Sequence, residues 1–276
     1  RREAWSLTAR THADRTWDYY PSIDAPPAQT ASVQLRVEHA GATVTHALEL
    51  SAAADGPPVE VRLPAGLAAT APAVLDLAFV IDVTGSMEDE LRYVNAEVAS
   101  VVRRVREGAP NAQVRVSATF YGDRMDPQLV RQIAFTRDVE GFGAVMQQVH
   151  AAGGGDYPED VNAGLDAALT GLSWSGPEAV KVLVLIADAP PQDYTDENFT
   201  WRSAMQVARA YGVRVLPVAA SGADRTVEYL FRAMGAYTTT PYVYLTDDSG
   251  IGRAHMEADT DRVAIERFND LLARVL

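Results

Sequence analysis

The chain contains no cysteine and a single lysine among its 276 residues. The lack of cysteine excludes disulfide bonds, zinc–thiolate sites and thiol catalysis. No run of about eighteen apolar residues occurs, so the sequence predicts no transmembrane helix. Basic residues are outnumbered, and the formal net charge is −13. This charge argues against nucleic acid as the main partner, because binding phosphates needs a basic face.

What the chain does contain is typical of a globular protein: 47% hydrophobic and 22% charged residues. Apolar and polar residues alternate over 33–37, 44–50 and 59–63, which predicts a small antiparallel β-sheet. We therefore predict an N-terminal segment, 1–74, that carries this sheet, and a second domain, 75–276.

From residue 75 onward, predicted strands and helices alternate. The strands are predicted at 75–81, 113–120, 129–135, 180–187, 213–220 and 241–245. The helices are predicted at 87–107, 139–151, 159–172, 200–211, 225–235 and 260–275. This order predicts an α/β fold with a doubly wound, mostly parallel sheet flanked by helices. Pro217 is unfavourable within its strand, because proline cannot donate to a sheet ladder.

The segment 82–86, Asp-Val-Thr-Gly-Ser, directly follows the apolar run 75–81. This pattern predicts a buried strand that opens into a polar loop. Asp82, Thr84 and Ser86 offer oxygen donors at alternate positions. Such donors suit Mg²⁺, and also Ca²⁺ or Mn²⁺.

Two later segments repeat this layout. Asp156 follows the glycines 153–155, and Asp188 follows the aliphatic strand 180–187. In an open α/β sheet, ligands bind beyond the carboxyl ends of the strands, so these distant segments would converge there. The glycines allow positive φ and close approach of the backbone to an ion. The sequence thus predicts one metal site with the ligands Asp82, Thr84, Ser86, Asp156 and Asp188.

Several of these residues also have a plain structural explanation. Ser86 could be the N-cap of the first helix. Asp156 could form a variant of the capping box with Glu159, and Asp188 could cap a turn. Asp82 favours the metal hypothesis, because a carboxylate that ends an apolar strand is costly to bury unless it is paired or ligated.

Taken together, the three segments resemble the loops of a von Willebrand factor type A domain, which form its metal-ion-dependent adhesion site. The likeness covers roughly 75–276 and extends to Phe-Tyr-Gly-Asp at 120–123 and Asp-Ala-Pro-Pro at 188–191, as in bacterial members. The resemblance implies a Mg²⁺ ion bound at Asp82, Thr84 and Ser86, with a ligand carboxylate completing its shell. Asp156 stands where many members carry threonine. A third carboxylate would hold the ion more tightly and attract an acidic ligand less.

These features favour a binding module that uses Mg²⁺ to engage an acidic residue of a protein partner. One alternative is a structural module whose ion only stabilises the loops, and another is a metal-dependent hydrolase. We expect no catalytic residues, because no histidine lies near these motifs and the Gly-x-Ser-x-Gly and Walker A patterns are absent. We expect an extracytoplasmic or cell-surface location in preference to the cytoplasm.

Overall fold

The structure is a computed structural model that describes residues 30–39, 42–51, 74–196, 198–245 and 270–272. The chain divides between Thr70 and Ala71 into two units, each treated separately below.

The first unit contains an antiparallel pair of strands. These strands are β1 (Thr30–His39) and β2 (Ala42–Ser51), and Val37 lies opposite Val44 in their register. The predicted pairing of 33–37 with 44–50 is confirmed. The third predicted strand, 59–63, lies outside the described residues.

The second unit is built around a six-stranded sheet. Its strands are β3 (Val74–Asp82), β4 (Gln113–Tyr121), β5 (Val130–Thr136), β6 (Val180–Ala187), β7 (Val213–Ala219) and β8 (Val243–Tyr244). Its main helices are α1 (Glu88–Gly108), α2 (Val139–Met146), α3 (Val161–Asp166), α4 (Trp201–Tyr211) and α5 (Arg225–Thr238). The strand order is β5-β4-β3-β6-β7-β8, with β5 antiparallel and the rest parallel. The predicted α/β fold with a mostly parallel sheet is confirmed.

The central strand β3 explains why helices cover both faces of the sheet. Leu77 and Phe79 pack into one apolar cluster with α1 and α2. Ala78 and Val80 pack into a second cluster with α3, α4 and α5. Because β3 is buried on both faces, residues 77–81 form a continuous apolar run without alternation.

Helix α2 ends five residues before the predicted limit of 151, at Met146. The backbone N–H groups of Gln148 and Val149 donate to carbonyls three residues back, to Val145 and Met146. Such tightened turns are common where an α-helix ends.

Helix α3 begins two residues later than predicted, and its last turn, Ala167–Gly171, widens into a π-helix. Of the predicted helix 260–275, residues 270–272 are helical and the others lie outside the described residues. Among the helices of the described ranges, none is long and apolar enough to cross a membrane.

Pro217 lies within β7, as the strand prediction requires, opposite Leu185 of β6. The last strand, β8, pairs with β7 only from Val218 onward. Among the described residues, no strand therefore pairs with β7 on that side at Pro217, and the sheet can accommodate a residue without an N–H donor there.

Candidate metal centre

Asp82 is the last residue of β3, and its side chain is fully buried. Its Oδ1 accepts hydrogen bonds from Thr84, from the backbone N at 2.9 Å and from Oγ1 at 2.7 Å. Its Oδ2 accepts from the Tyr121 hydroxyl at 3.3 Å. An Asp carboxylate that accepts a hydrogen bond from the backbone N–H two residues further along the chain fixes a turn. The carboxylate is therefore held in a defined orientation at the end of the central strand.

Asp188 directly follows β6, the strand beside β3, and is only 5% exposed. Burial and, second, the charge of Asp188 raise the pKa of Asp82 to about 7, although hydrogen bonds from Thr84 and Tyr121 oppose this rise. Two carboxylates on neighbouring strands thus share a site with little water. A cation between them would relieve their repulsion.

Thr84 and Ser86 continue the row of oxygen atoms from Asp82. Thr84 Oγ1 lies 3.4 Å from Ser86 Oγ, and Thr84 is buried. A short 3₁₀ turn, Gly85–Met87, leads into α1. The N-cap of α1 is Met87, so the alternative that Ser86 caps this helix is wrong.

The glycine loop that precedes α3 has the backbone conformation that its sequence predicts. Gly153 and Gly154 have φ values of 86° and 71°. The backbone N–H of Gly85 donates to the carbonyl oxygen of Gly153 at 3.2 Å. The predicted positive φ is confirmed at Gly153 and Gly154, while the close approach of this backbone to an ion stays a prediction.

The structure places Asp156 at the surface. Its side chain is exposed, and its Oδ2 accepts a hydrogen bond from Gln192 Nε2 at 3.0 Å. Asp160 is the N-cap of α3, with its Oδ1 accepting from Ala163 N at 2.9 Å, so the alternative that Asp156 caps this helix is wrong. The role of Asp156 as a metal ligand stays a prediction.

Sequence reasoning does not single out Glu159 as a ligand, yet the structure places it beside Asp82. Glu159 is 4% exposed, and its Oε2 has no hydrogen-bond partner within the described part of the chain. Burial and then the charges of Asp82 and Asp123 raise the pKa of Glu159 to about 8, and a bond with the Thr84 side chain opposes this. The only sequence signal is a carboxylate at the start of a helix, which is more often explained by the helix dipole.

Replacing Gly154 with Ala is expected to disturb this pair of loops. A Cβ atom at position 154 would lie 2.8 Å from Glu159 Oε1 and 3.2 Å from Thr84 Cβ, on a backbone that already strains an L side chain. We expect Gly154→Ala to cost about 1–3 kcal/mol of unfolding free energy. Gly155→Ala is the matched control, because no atom lies within 4 Å of its Cβ position. Equal urea midpoints for the two variants would contradict the placement of Gly154.

The loops after β4 and β6 lie at the same edge of the sheet as Asp82 and Asp188. Asp126 accepts from the backbone N of Asp123 at 2.8 Å, and the Tyr194 hydroxyl donates to Asp123 Oδ1. Arg124 Nη1 pairs with Asp196 at 2.7 Å, and its guanidinium lies 3.5 Å from the centre of the Tyr194 ring. These contacts connect the loop after β4 directly to the loop after β6.

The donor chemistry of the site fits a divalent cation. Carboxylates lie on Asp82, Glu159 and Asp188, and hydroxyls lie on Thr84 and Ser86. An all-oxygen set suits Mg²⁺, Ca²⁺ or Mn²⁺. Among the described residues, no three His, Asp or Glu side chains are already arranged to hold a metal. An ion here would therefore depend on hydroxyl and water oxygens as well as carboxylates.

Two solved structures share a general likeness with this chain. One is BatB from Bacteroides thetaiotaomicron, described as a conserved hypothetical protein, with 11% identity and a TM-score of 0.47 over 63% of this chain and 93% of that one. The other is proximal thread matrix protein 1 from the mussel byssus, with 15% identity and a TM-score of 0.45 over 63% of this chain and 41% of that one. At these values the likeness carries no conclusion about function.

Curated relatives match part of this chain. The chain is 27% identical over 117 residues to the alpha-protein kinase vwkA of Dictyostelium discoideum, covering 42% of this chain and 18% of the relative. It is 33% identical over 94 residues to the human von Willebrand factor A domain-containing protein 7, covering 34% of this chain and 10% of the relative. The chain thus spans less than a fifth of the length of either relative.

The family model of the von Willebrand factor A domain matches residues 76–253, more than half of the chain. The chain therefore belongs to the von Willebrand factor A domain family.

Proposed function

We propose that this domain is a protein-binding module whose contact with its partner depends on a divalent cation, with Mg²⁺ as the preferred ion. Membership of the von Willebrand factor A domain family supports a role in protein interaction. The observation that carries the metal proposal is that Asp82 and Asp188 are buried carboxylates at the carboxyl ends of the neighbouring strands β3 and β6, close enough for the charge of Asp188 to raise the pKa of Asp82. Asp82, Thr84, Ser86 and Asp188 would hold the ion. When bound, the ion would supply a Lewis-acid centre for an oxygen atom of the partner.

The finer part of the proposal is that the partner contributes a Glu or Asp side chain. A carboxylate oxygen is a preferred ligand of hard divalent cations. Ser86 is only partly buried, so the site reaches the surface at the start of α1. A partner carboxylate that arrives there would complete the shell of the ion.

Two exposed apolar side chains near this edge favour a protein partner over an ion that only stabilises the loops. Met125, in the loop after β4, is 92% exposed, and Tyr157, in the loop before α3, is 44% exposed. The Tyr157 hydroxyl donates to the backbone oxygen of Asp188 at 3.4 Å and accepts from the backbone N of Asp224 at 3.2 Å. Contiguous exposed apolar patches with a polar rim mark interaction sites, and we propose that these two side chains belong to the surface that the partner covers.

We do not propose catalysis. The hydroxyl of Ser86 contacts the hydroxyl of Thr84, which cannot act as a general base. The sequence also places no histidine within these loops.

A capture experiment tests the binding function. Immobilised wild-type chain and the Asp82→Ala variant would be exposed to extract from the source organism in Mg²⁺, and bound protein would then be released with chelator. We expect a partner that the wild type retains in Mg²⁺ and that folded Asp82→Ala does not retain. A partner that binds both proteins equally, in Mg²⁺ and in chelator, would contradict metal-dependent recognition and favour the structural module.

A further inference from the structure

We propose that Glu159 is a ligand of the cation, so that the third carboxylate of the site comes from Glu159 and not from Asp156. This inference rests on the metal site proposed above. It extends that site to a residue that neither the sequence pattern nor the family resemblance assigns.

The Glu159 side chain is buried, and one of its two carboxylate oxygens makes no hydrogen bond with the described residues. The residue is 96% buried, and Oε2 accepts no hydrogen bond from any described residue. A buried carboxylate without a partner is costly, so such a group usually has a specific role. Its surroundings are Thr84, Asp82 and the backbone of Gly154, which are parts of the proposed metal site.

Backbone hydrogen bonds also fix Glu159 against the loop that carries Asp188. The backbone N of Glu159 donates to the oxygen of Pro190 at 3.1 Å, and the backbone N of Gln192 donates to the oxygen of Glu159 at 2.8 Å. Glu159 and Pro191 thereby form an isolated parallel bridge. This pairing brings the loop before α3 alongside the loop after β6, so both carboxylates belong to one edge of the sheet.

Helix α3 does not need the Glu159 side chain as its N-cap. Asp160 already supplies the N-cap bond to Ala163. Glu159 precedes the N-cap, and its side chain is therefore available for another purpose. Asp156, by contrast, is exposed and bonded to Gln192.

A ligand role for Glu159 has a consequence for the partner. With Asp82 and Asp188, it would bring a third negative charge close to a doubly charged ion, although no three acidic side chains of the described residues are already arranged to hold a metal by themselves. The ion would be held more tightly, while its attraction for an acidic side chain of a partner would be smaller. The site would then favour a resident ion over one that exchanges with each binding event.

Metal affinity measured with Mn²⁺ and Mg²⁺ tests this inference. Free Mn²⁺ would be followed by electron paramagnetic resonance and Mg²⁺ binding by calorimetry, for the full chain and the variants Glu159→Gln, Asp156→Asn and Asp82→Asn. Loss of an outer-shell partner typically weakens metal binding 10–100-fold, so we expect Glu159→Gln to weaken it by at least about tenfold. We expect Asp156→Asn to bind like wild type.

The outcomes separate the two proposals. If Asp82→Asn loses the metal while folded Glu159→Gln binds like wild type, Glu159 is not a ligand and the proposed function stands. If Asp82→Asn also binds like wild type, the proposed metal site itself is wrong. Glu159→Asp guards against a folding defect: partial recovery of affinity with this shorter carboxylate supports a ligand, and an affinity no better than that of Glu159→Gln overturns it. Circular dichroism would establish that each variant is folded.

Discussion

Asp82→Asn is expected to make the metal-free protein more stable than wild type at about pH 8. In wild type, burial and Asp188 raise the pKa of Asp82 to about 7 from the ordinary value of 3.8. Below the ordinary value both the folded and the unfolded state are protonated, and the site carries no penalty. As the pH rises from the ordinary value toward the folded pKa, Asp82 loses its proton in the unfolded state but keeps it in the folded state. The free energy of unfolding therefore falls over this pH range.

The size of this effect follows from the pKa shift. About three pKa units at roughly 1.4 kcal/mol each amount to an upper value of about 4 kcal/mol. Asparagine stays neutral at every pH and can still accept the hydrogen bonds from Thr84. Urea unfolding in metal-free buffer at about pH 5 and pH 8 measures the difference. We expect wild type to lose stability relative to Asp82→Asn between these pH values.

The matched control for this prediction is Asp156→Asn, which removes an exposed carboxylate from the same edge of the sheet. Its stability should follow that of wild type at both pH values. If the stability of Asp82→Asn also matches that of wild type at both pH values, burial and Asp188 do not destabilise the charged form of Asp82, and the prediction is wrong.

Asp76→Ala is expected to destabilise the fold strongly and to leave metal binding intact. Asp76 lies near the start of β3 and is fully buried. It accepts from Arg115 Nε and Nη2, both at 2.7 Å, and from Ser175 N at 2.6 Å. Removing one partner of such a buried pair costs about 3–5 kcal/mol, because the other partner loses its compensation. The partial exposure of Arg115 favours the lower end of this range.

This variant separates stability from the metal site. Asp76 lies six residues from Asp82 on one strand, which corresponds to roughly 20 Å. Glu140→Ala is a suitable control, since it breaks the exposed pair between Glu140 and Arg103, for which we expect less than about 1 kcal/mol. Urea unfolding and Mg²⁺ calorimetry would be run on both variants. Loss of Mg²⁺ binding in folded Asp76→Ala would contradict the location of the site.

The sequence predicts the positions of Asp82 and Asp188 well, because both residues end buried apolar strands. Strands β3 and β6 contain the continuous apolar runs 77–81 and 182–187, and the first polar residues after these runs are Asp82 and Asp188. Parallel strands bring such ends to one edge of the sheet. Knowledge of the strand order is enough to place these two residues together.

The loop before α3 could not be predicted in the same way. Asp156 and Glu159 are three residues apart, and both are acidic residues near a helix start. Which of them faces the sheet is decided by bonds to Pro190 and Gln192, about thirty residues away. Nothing in the local sequence contains this information, so the structure was needed to find Glu159.

The same limit applies to the start of α1. A serine before an acidic first turn is a reasonable N-cap, and the sequence offers no reason to reject it. The 3₁₀ turn at Gly85–Met87 moves the start of the helix beyond Ser86. The Ser86 hydroxyl therefore lies beside Thr84 and is available to the proposed ion.

The most direct test of a divalent cation at Asp82 is unfolding of the chelator-treated protein with and without millimolar Mg²⁺, for wild type and Asp82→Asn. An ion that binds only the folded state stabilises it by about 2.7 kcal/mol at one hundred times the dissociation constant. We predict a rise in the unfolding free energy of wild type when Mg²⁺ is added, and no rise in Asp82→Asn. Equal stability of wild type in Mg²⁺ and in chelator, or an equal rise in both proteins, would contradict a metal site at Asp82.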